Sequence, residues 1–204
     1  MIGIIDYGMG NLKSVEKAFA AIGEQAFISA SAQELSNADR LILPGVGAFD
    51  DALAALNQSG LTELIRQAVS SNVPLLGICL GMQLLLDSSE ETQNDTPSAG
   101  LGLIPGRVVR IPAKEGFKIP QIGWNSLIKP RESRLLRGIE NGEFFYFVHS
   151  YYCSLENRGD VAAQCEYTAL LDVALERGNL FAVQFHPEKS GNAGLSILKN
   201  FAKL

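Results

Sequence analysis

A cysteine flanked by glycines lies near the middle of the chain, in the segment Gly77-Ile78-Cys79-Leu80-Gly81. Glycines two residues before and after a nucleophile are typical of the nucleophile elbow, in which a strand turns sharply into a helix and exposes the central side chain. A thiol in the first turn of a helix also faces the positive end of the helix dipole, which favours the thiolate. The spacing predicts that Cys79 is a nucleophile, although a cysteine taken alone is more often a small buried apolar residue.

A nucleophilic thiol needs a base, and the chain contains only 2 histidines, His149 and His186. His186 follows an apolar run and precedes a proline, which pushes it toward extended geometry. Residues two apart in an extended chain share a face, so Glu188 is expected beside the His186 ring, where it would fix the tautomer and stabilise the imidazolium. We predict a catalytic triad of Cys79, His186 and Glu188. The alternative for the histidine segment is an ordinary surface turn.

A tetrahedral intermediate at Cys79 would need hydrogen-bond donors for its oxyanion. The backbone N–H of Leu80, the next residue, is placed to supply one of them. A second is expected from the loop Pro44-Gly45-Val46-Gly47, which ends another apolar run. Because glycine adopts backbone conformations that other residues resist, this loop is either a switch that turns an N–H toward the site or a simple tight turn.

The elements that must position these residues are indicated by an alternation of apolar runs and amphipathic stretches in the first half of the chain. Runs at residues 2–5, 40–43 and 74–78 predict strands, and the amphipathic stretches predict helices over 52–69 and 80–86. Unbroken apolar runs suit the centre of a parallel sheet. We therefore predict an α/β fold with a mostly parallel central sheet flanked by helices, and a site beyond the carboxyl ends of the strands.

The second half of the chain has a different pattern of residues. Residues 106–184 contain short β-rich runs separated by glycine, proline and asparagine, which predicts an antiparallel β extension. An amphipathic helix through Leu195, Leu198 and Phe201 closes the chain. There is no internal repeat and no linker, so residues 1–204 are predicted to form a single domain.

Composition excludes several classes of protein. The 204 residues are 47% hydrophobic and 19% charged, which is enough for one substantial core, and the net charge of -5 disfavours nucleic acid and anionic lipid as partners. The 3 cysteines show neither metal-ligand spacing nor the density of a disulfide scaffold, so no metal and no cofactor are expected. Neither a signal peptide nor a membrane span is indicated, and the cytoplasm is the expected location.

The cysteine elbow, the ending His186-Pro187-Glu188 and their order along the chain resemble the class I glutamine amidotransferases, and the resemblance covers the whole chain. This resemblance implies hydrolysis of glutamine to glutamate through a cysteinyl thioester. Within the class, further segments are similar to the amidotransferase subunits of imidazole glycerol phosphate synthases: Ile5-Asp6-Tyr7-Gly8-Met9-Gly10-Asn11-Leu12, Leu43-Pro44-Gly45-Val46-Gly47, Gly123-Trp124-Asn125 and Phe147-Val148-His149-Ser150-Tyr151.

The narrower similarity implies a partner and a set of roles. Ammonia would pass into a (β/α)8-barrel cyclase on a separate chain, in a heterodimer that makes imidazole glycerol phosphate and aminoimidazole carboxamide ribonucleotide in histidine biosynthesis. His149 is implied to lie in the glutamine-binding segment and not to be the base. By the same resemblance Val46 and Leu80 form the oxyanion hole, Gly47, Gln83, Glu91, Ser150 and Tyr151 contact glutamine, and Asn11, Pro120, Trp124 and Tyr146 face the cyclase.

Other interpretations stay open at this point. Glu91 belongs to an acidic run that is equally typical of a solvated helix end. The chain as a whole could serve another synthase, act on esters as a cysteine variant of an α/β-hydrolase, or regulate a partner without catalysis. Residues 128–141 carry no motif of the family. We also expect glutaminase activity that is low alone and rises with the cyclase and its nucleotide ligand, because the oxyanion loop is rich in glycine.

Overall fold

The computed structural model describes residues 1–93 and 95–204. Within these ranges a large sheet of eleven strands and a small sheet of two strands account for the β structure. The strands are β1 Ile2–Ile5, β2 Ala26–Ser29, β3 Arg40–Gly45, β4 Leu75–Cys79, β5 Leu86–Ser89, β6 Ser98–Ala99, β7 Ile104–Arg110, β8 Gln121–Ser126, β9 Phe144–His149, β10 Tyr151–Leu155, β11 Val161–Glu166, β12 Leu170–Arg177 and β13 Leu180–Val183.

The helices of the described residues connect and flank these strands. Two 3-10 helices, Arg158–Asp160 and Pro187–Lys189, add short turns. No helix in the described ranges is both long enough and apolar enough to span a membrane. The α-helices are α1 Leu12–Ala21, α2 Ala32–Leu35, α3 Phe49–Gln58, α4 Leu61–Ser70, α5 Leu80–Leu84 and α6 Gly191–Phe201.

The predicted α/β class is confirmed, with a parallel centre and an antiparallel extension. The large sheet has the order β2-β1-β3-β4-β13-β12-β10-β7-β5-β6, and β11 pairs with β12. Strands β2, β1, β3, β4 and β13 are mutually parallel, so their carboxyl ends, including Gly45 and Cys79, meet at one edge. The strands from β13 through β12 and β10 to β7 are antiparallel neighbours. Strand β13, expected in the antiparallel part, is thus parallel to β4 and joins the two parts.

Alternation of side chains along the central strands divides the core between the two faces of the sheet. Ile2 and Ile4 of β1 pack in one cluster with α1 and α6, and Ile5 packs in the other with α3 and α4. Both faces of β1, β3, β4 and β13 are therefore covered, which is why their sequences are nearly continuous apolar runs.

Two helix predictions were wrong in their bounds. The stretch 52–69 was expected to form one helix, but Gly60 adopts a left-handed conformation with φ 74° and separates α3 from α4. The helix after Cys79 ends at Leu84 instead of residue 86, because the chain there becomes β5 and pairs with β7. Short apolar runs fit either secondary structure, so the periodicity alone did not reveal this change.

Residues 128–141, which carried no recognisable motif, are held against β11 and β12. The Arg131 guanidinium donates to the backbone carbonyls of Val161 at 3.1 Å and Glu176 at 2.7 Å. The Ser133 hydroxyl donates to the Glu176 carboxylate at 2.6 Å. Side-chain hydrogen bonds from Arg131 and Ser133 therefore attach this stretch to β11 and β12.

Candidate active site

Cys79 is the last residue of β4 and directly precedes α5. Its backbone has φ 56° and ψ -111°, a conformation that a residue with a Cβ atom rarely adopts. The flanking glycines make this turn possible, since a Cβ at Gly77 would lie 2.7 Å from the Gly81 carbonyl oxygen and a Cβ at Gly81 would lie 1.8 Å from that of Leu43. The strained turn holds the Cys79 side chain at the carboxyl edge of the parallel strands.

His186 and Glu188 form a buried pair beside this edge. The Glu188 carboxylate accepts a hydrogen bond from His186 Nδ1 at 2.8 Å, and the His186 carbonyl accepts one from the Ser190 hydroxyl at 2.6 Å. His186 is extended, as expected before proline, but Glu188 lies in the 3-10 helix that follows. The two side chains therefore meet through a tight turn, and the predicted extended segment from His186 to Glu188 is wrong.

The environment of His186 sets its charge. Burial lowers the pKa of the ring, but interactions with Cys79 and with Glu188 outweigh burial and raise the pKa of His186 to about 9. Within the described residues, the buried Nε2 atom has no protein hydrogen-bond partner. The imidazole thus has one nitrogen fixed on the carboxylate and the other available for proton exchange with a neighbouring group.

A cavity of about 290 Å³ opens in front of the cysteine and the histidine. Its wall brings together the predicted nucleophile, the predicted base and all the residues implied for the oxyanion hole and for glutamine binding, while Glu188 lies behind the His186 ring. A volume of this order suits a small molecule such as an amino acid. The lining residues are Val46, Gly47, Cys79, Leu80, Gln83, Glu91, Pro120, Val148, His149, Ser150, Tyr151 and His186.

The oxyanion loop, residues 44–47, contacts the elbow at Gly45. A Cβ at Gly45 would lie 3.0 Å from the backbone nitrogen of Gly81 and 2.7 Å from the Tyr7 hydroxyl. That hydroxyl donates to the Pro44 carbonyl at 2.8 Å. Gly47 has φ 102°, so its backbone is in a region that favours glycine. The loop is thus packed closely on the elbow at one end and has a permissive backbone at the other.

Glu91 carries the acidic group of the cavity wall. Its carboxylate accepts a hydrogen bond from the Phe49 backbone N–H at 3.1 Å, which anchors it at the first residue of α3. Burial raises the pKa of Glu91, the Phe49 hydrogen bond lowers it, and the nearby Asp50 raises it, with a net upward shift. This carboxylate lies in β-rich surroundings after β5 and not at a solvated helix end, which contradicts the simpler interpretation of the acidic run.

A buried polar network supports the wall opposite the loop. The Tyr151 carbonyl accepts hydrogen bonds from His149 Nδ1 at 2.9 Å and from Gln83 Nε2 at 3.1 Å. Gln83 also donates to the Gln184 side-chain oxygen at 2.9 Å. Gln184 lies two residues before the base and was not predicted from the sequence. Its polarity between apolar neighbours, Val183 and Phe185, was the signal that could have identified it.

The small sheet of β8 and β9 presents an exposed apolar face next to the cavity. Ile122 is 64% exposed and Trp124 is 55% exposed. The Trp124 ring contacts the Tyr146 ring edge to face, with centroids 6.2 Å apart, and the Tyr146 carbonyl accepts a hydrogen bond from the backbone N–H of His186 at 3.0 Å. Pro120 lines the cavity beside this sheet, and Asn11 lies at the start of α1. Exposed aromatic side chains grouped on one face are typical of a protein interface.

Comparison with known proteins agrees with this geometry. Residues 3–204 match the family model described as glutamine amidotransferase class-I. The chain therefore belongs to the class I glutamine amidotransferase family. A solved structure titled PurLQS from Thermotoga maritima is 18% identical and has a TM-score of 0.77 over 99% of this chain and 97% of that chain, which supports the fold.

More similar sequences give a narrower relationship. The chain is 53% identical to "Imidazole glycerol phosphate synthase subunit HisH" of Geobacillus kaustophilus, over 98% of this chain and 95% of the relative. It is 51% identical to the subunit of the same name from Moorella thermoacetica, over 100% of this chain and 94% of the relative. Full-length identity of this order places the chain next to the HisH subunits within the family. The cysteine α/β-hydrolase considered from the elbow alone is excluded.

Proposed function

We propose that this chain is the glutaminase subunit of an imidazole glycerol phosphate synthase, which hydrolyses L-glutamine and delivers ammonia to a cyclase partner in histidine biosynthesis. The identity of about 50% to HisH subunits over the full chain supports this function. The single structural observation that carries it is a cysteine held in a strained elbow on the wall of the cavity that also contains the His186 ring. The intact site argues against a subunit that only regulates its partner.

The proposed reaction begins with proton transfer from the Cys79 thiol to His186 Nε2, which Glu188 favours by stabilising the imidazolium. The thiolate then attacks the side-chain amide carbon of glutamine. The oxyanion that forms accepts hydrogen bonds from the Leu80 N–H and from the loop at Val46. Collapse of this intermediate breaks the carbon–nitrogen bond, and the imidazolium gives its proton to the departing nitrogen, so that ammonia leaves and a thioester remains.

Hydrolysis of the thioester repeats the same proton path. His186 Nε2 takes a proton from water, the hydroxide attacks the thioester carbonyl, and the second tetrahedral intermediate releases glutamate as the thiolate leaves. The buried His186–Glu188 pair serves both halves of the reaction, because the ring accepts a proton in each attack and is held in a single tautomer. Apart from Glu188, which lies behind the His186 ring, the groups assigned to the chemistry line the cavity.

Recognition of free glutamine is proposed to use the charged ends of the molecule. The Glu91 carboxylate would pair with the substrate ammonium, because it is the acidic side chain on the cavity wall. The backbone and hydroxyl groups of Gly47, Ser150 and Tyr151 would bind the carboxylate. Gln83 uses Nε2 within the protein and leaves its side-chain oxygen to accept from the substrate.

The cyclase is proposed to bind the exposed face of β8 and β9. Trp124 and Tyr146 lie on this face, Pro120 connects it to the cavity, and Asn11 lies in the loop that packs near Pro44. Docking here would cover the cavity mouth and keep the ammonia from water. We further propose that residues 1–204 act as one glutaminase domain, that the complex is a cytoplasmic heterodimer, and that docking raises the glutaminase rate.

The test separates the two chemistries of the complex. We expect Cys79→Ala and His186→Ala to abolish glutamine-dependent synthesis and to leave synthesis from added ammonium salts intact, because the later steps take place on the partner. The Cys165→Ala chain is the matched control, since Cys165 is equally a buried free cysteine but lies outside the cavity wall. Full glutamine-dependent activity in the Cys79→Ala complex would contradict the proposal.

The remaining alternatives give different results in a binding and rate experiment. Ammonia release from glutamine is measured for the chain alone, with the cyclase, and with the cyclase and its nucleotide ligand. A rise at each addition supports activation by the partner, whereas an equal and high rate in all three contradicts it. A glutaminase subunit of another synthase would instead bind the synthase for pyridoxal phosphate, anthranilate or purines. It would not bind the cyclase, and its rate of ammonia release would not change when the cyclase is added.

A further inference from the structure

Gln184 is a fully buried polar side chain that directly contacts the proposed nucleophile. It follows the last residue of β13, and its backbone N–H donates to the Val173 carbonyl at 2.8 Å. The side-chain Nε2 lies 3.7 Å from the Cys79 sulfur. None of its surface is exposed to solvent. A carboxamide buried this deeply is costly unless its polar atoms are used, so its contacts need an explanation.

The orientation of the Gln184 carboxamide is fixed by the Tyr151 carbonyl, to which it is linked through Gln83. The Tyr151 carbonyl can only accept, so the Gln83 atom that faces it at 3.1 Å must be the donor Nε2. The same Nε2 faces Gln184 at 2.9 Å, so Gln184 must present its oxygen there. The other end of the Gln184 amide, its NH2 group, consequently points at the Cys79 sulfur.

Two side chains thus approach Cys79 from the segment after β13. Gln184 lies in the bend that follows β13 and His186 is two residues further on, and both contribute to the surroundings of the sulfur. His186 takes the thiol proton, whereas an NH2 group can only donate to sulfur. A donated hydrogen bond stabilises the thiolate more than the thiol, because the charge on sulfur strengthens it.

We propose that Gln184 positions the Cys79 sulfur and stabilises its thiolate, and that Gln83 holds Gln184 in the orientation this requires. The inference rests on the proposed glutaminase function and adds to it a residue outside the predicted triad. Because Gln83 and the Tyr151 carbonyl belong to the cavity wall, the segment that contacts the substrate is linked by hydrogen bonds to the nucleophile.

The experiment measures the thiolate directly and does not depend on glutamine turnover. The rate of Cys79 alkylation by iodoacetamide is followed against pH in the full-length chain, with Cys79→Ala as the background. In Gln184→Met, which keeps the shape and loses the donor, we expect the midpoint of the alkylation profile to rise by about one pH unit. In Gln184→Glu, which places an acceptor against sulfur, we expect a larger rise.

A matched variant controls for the loss of any buried glutamine. Gln164 is also buried and donates to the Asp172 carboxylate at 2.9 Å, but it lies outside the cavity wall. We expect Gln164→Met to keep the midpoint of the parent chain. We expect the Gln184→Met complex to keep ammonia-dependent synthesis and to lose about tenfold in kcat for glutamine at neutral pH, with part of the loss recovered at higher pH.

The outcomes distinguish the inference from the proposed function. An unchanged alkylation midpoint in both Gln184 variants overturns the role of Gln184, whatever their turnover. If Gln184→Met does not fold, as judged by circular dichroism, the Gln184→Glu midpoint decides alone, since that variant retains the shape and one polar contact. If the parent complex releases no glutamate from glutamine, the proposed function fails while the alkylation comparison still reports on the sulfur.

Discussion

His149 and His186 have opposite pKa shifts although both rings are buried. His186 has a carboxylate at Nδ1 and the cysteine nearby, which raise its pKa to about 9 against the opposing effect of burial. The His149 ring is hydrogen-bonded to the Tyr151 carbonyl and the Gln121 carboxamide and has no carboxylate among these partners. Burial lowers the pKa of His149 to about 4, the Tyr151 hydrogen bond opposes this shift, and the charge of nearby His186 adds to it. The same residue type is thus made a proton carrier at one position and a neutral structural group at the other.

This difference predicts how stability depends on pH. The folded pKa of His149 lies below the unfolded value of 6.5, so the unfolded chain binds more protons between these values and stability falls as pH drops through this window. Between about pH 7.5 and about pH 5, His149 should cost roughly 2 kcal/mol of unfolding free energy. Urea unfolding at both pH values should show a smaller loss in His149→Gln than in the parent chain. Equal losses of unfolding free energy in the two chains would contradict a lowered pKa of His149.

Among single residues, the sequence predicted those whose adjacent residues form a recognisable motif, Cys79 and His186. It did not predict Gln184, whose adjacent residues form none. Cys79 was predicted from its flanking glycines, and His186 from the small number of histidines and the following Pro-Glu. Gln184 lies inside an apolar run, and its importance depends on Gln83, which is distant along the chain. A hydrogen bond between residues so far apart follows from the sheet order and cannot be predicted from local spacing.

At the scale of elements, the junction of β4 and α5 is the part of the fold that steric contacts fix most tightly. A Cβ at Gly81 would lie 1.8 Å from the Leu43 carbonyl oxygen, which is part of a central strand and cannot move aside. We expect Gly81→Ala to lower the unfolding free energy by about 3 kcal/mol and to reduce glutamine-dependent activity by displacing Cys79. Thermal or urea unfolding measures the first effect, and the ammonia-release assay measures the second.

The control for this substitution is a glycine with space around it. Gly159 lies in a short 3-10 helix, and the atoms nearest to its added Cβ would all belong to the Asn157 side chain, with the oxygen at 3.1 Å. A flexible side chain can shift, so Gly159→Ala should change stability by less than about 1 kcal/mol. A loss in Gly81→Ala no larger than in Gly159→Ala would show that the junction accommodates a side chain and is not sterically fixed.

The sequence predicted which elements exist better than it predicted their ends and partners. The strand before Cys79 was expected from its apolar run, and β4 covers Leu75–Cys79. The break at Gly60 and the return of the chain into β5 were missed, because an isolated glycine or a short apolar run is compatible with either structure. Pairing partners decide such cases, and only the assembled sheet supplies them.

At the scale of the whole molecule, the cavity and the exposed apolar face are continuous parts of one surface. Val148 is 36% exposed in β9 and also lines the cavity, and the backbone of Tyr146 is hydrogen-bonded to that of His186. Contact with a partner at β8 and β9 would therefore act on the same strand that borders the base. That Trp124 and Tyr146 face a partner was predicted only from the family resemblance, because large aromatic residues taken alone are more often expected in a core.

The single tryptophan of the chain makes docking directly measurable. Trp124 is 55% exposed, so its fluorescence should shift to shorter wavelength when the cyclase covers it, and the titration gives the dissociation constant. We expect Trp124→Ala to weaken binding about 30-fold, as measured by calorimetry, because a buried interface tryptophan typically contributes about 2 kcal/mol. Val73→Ala, two residues before the amino end of β4, is the control and should bind normally. An unshifted spectrum at saturating cyclase, with unchanged affinity in Trp124→Ala, would place the partner on another face.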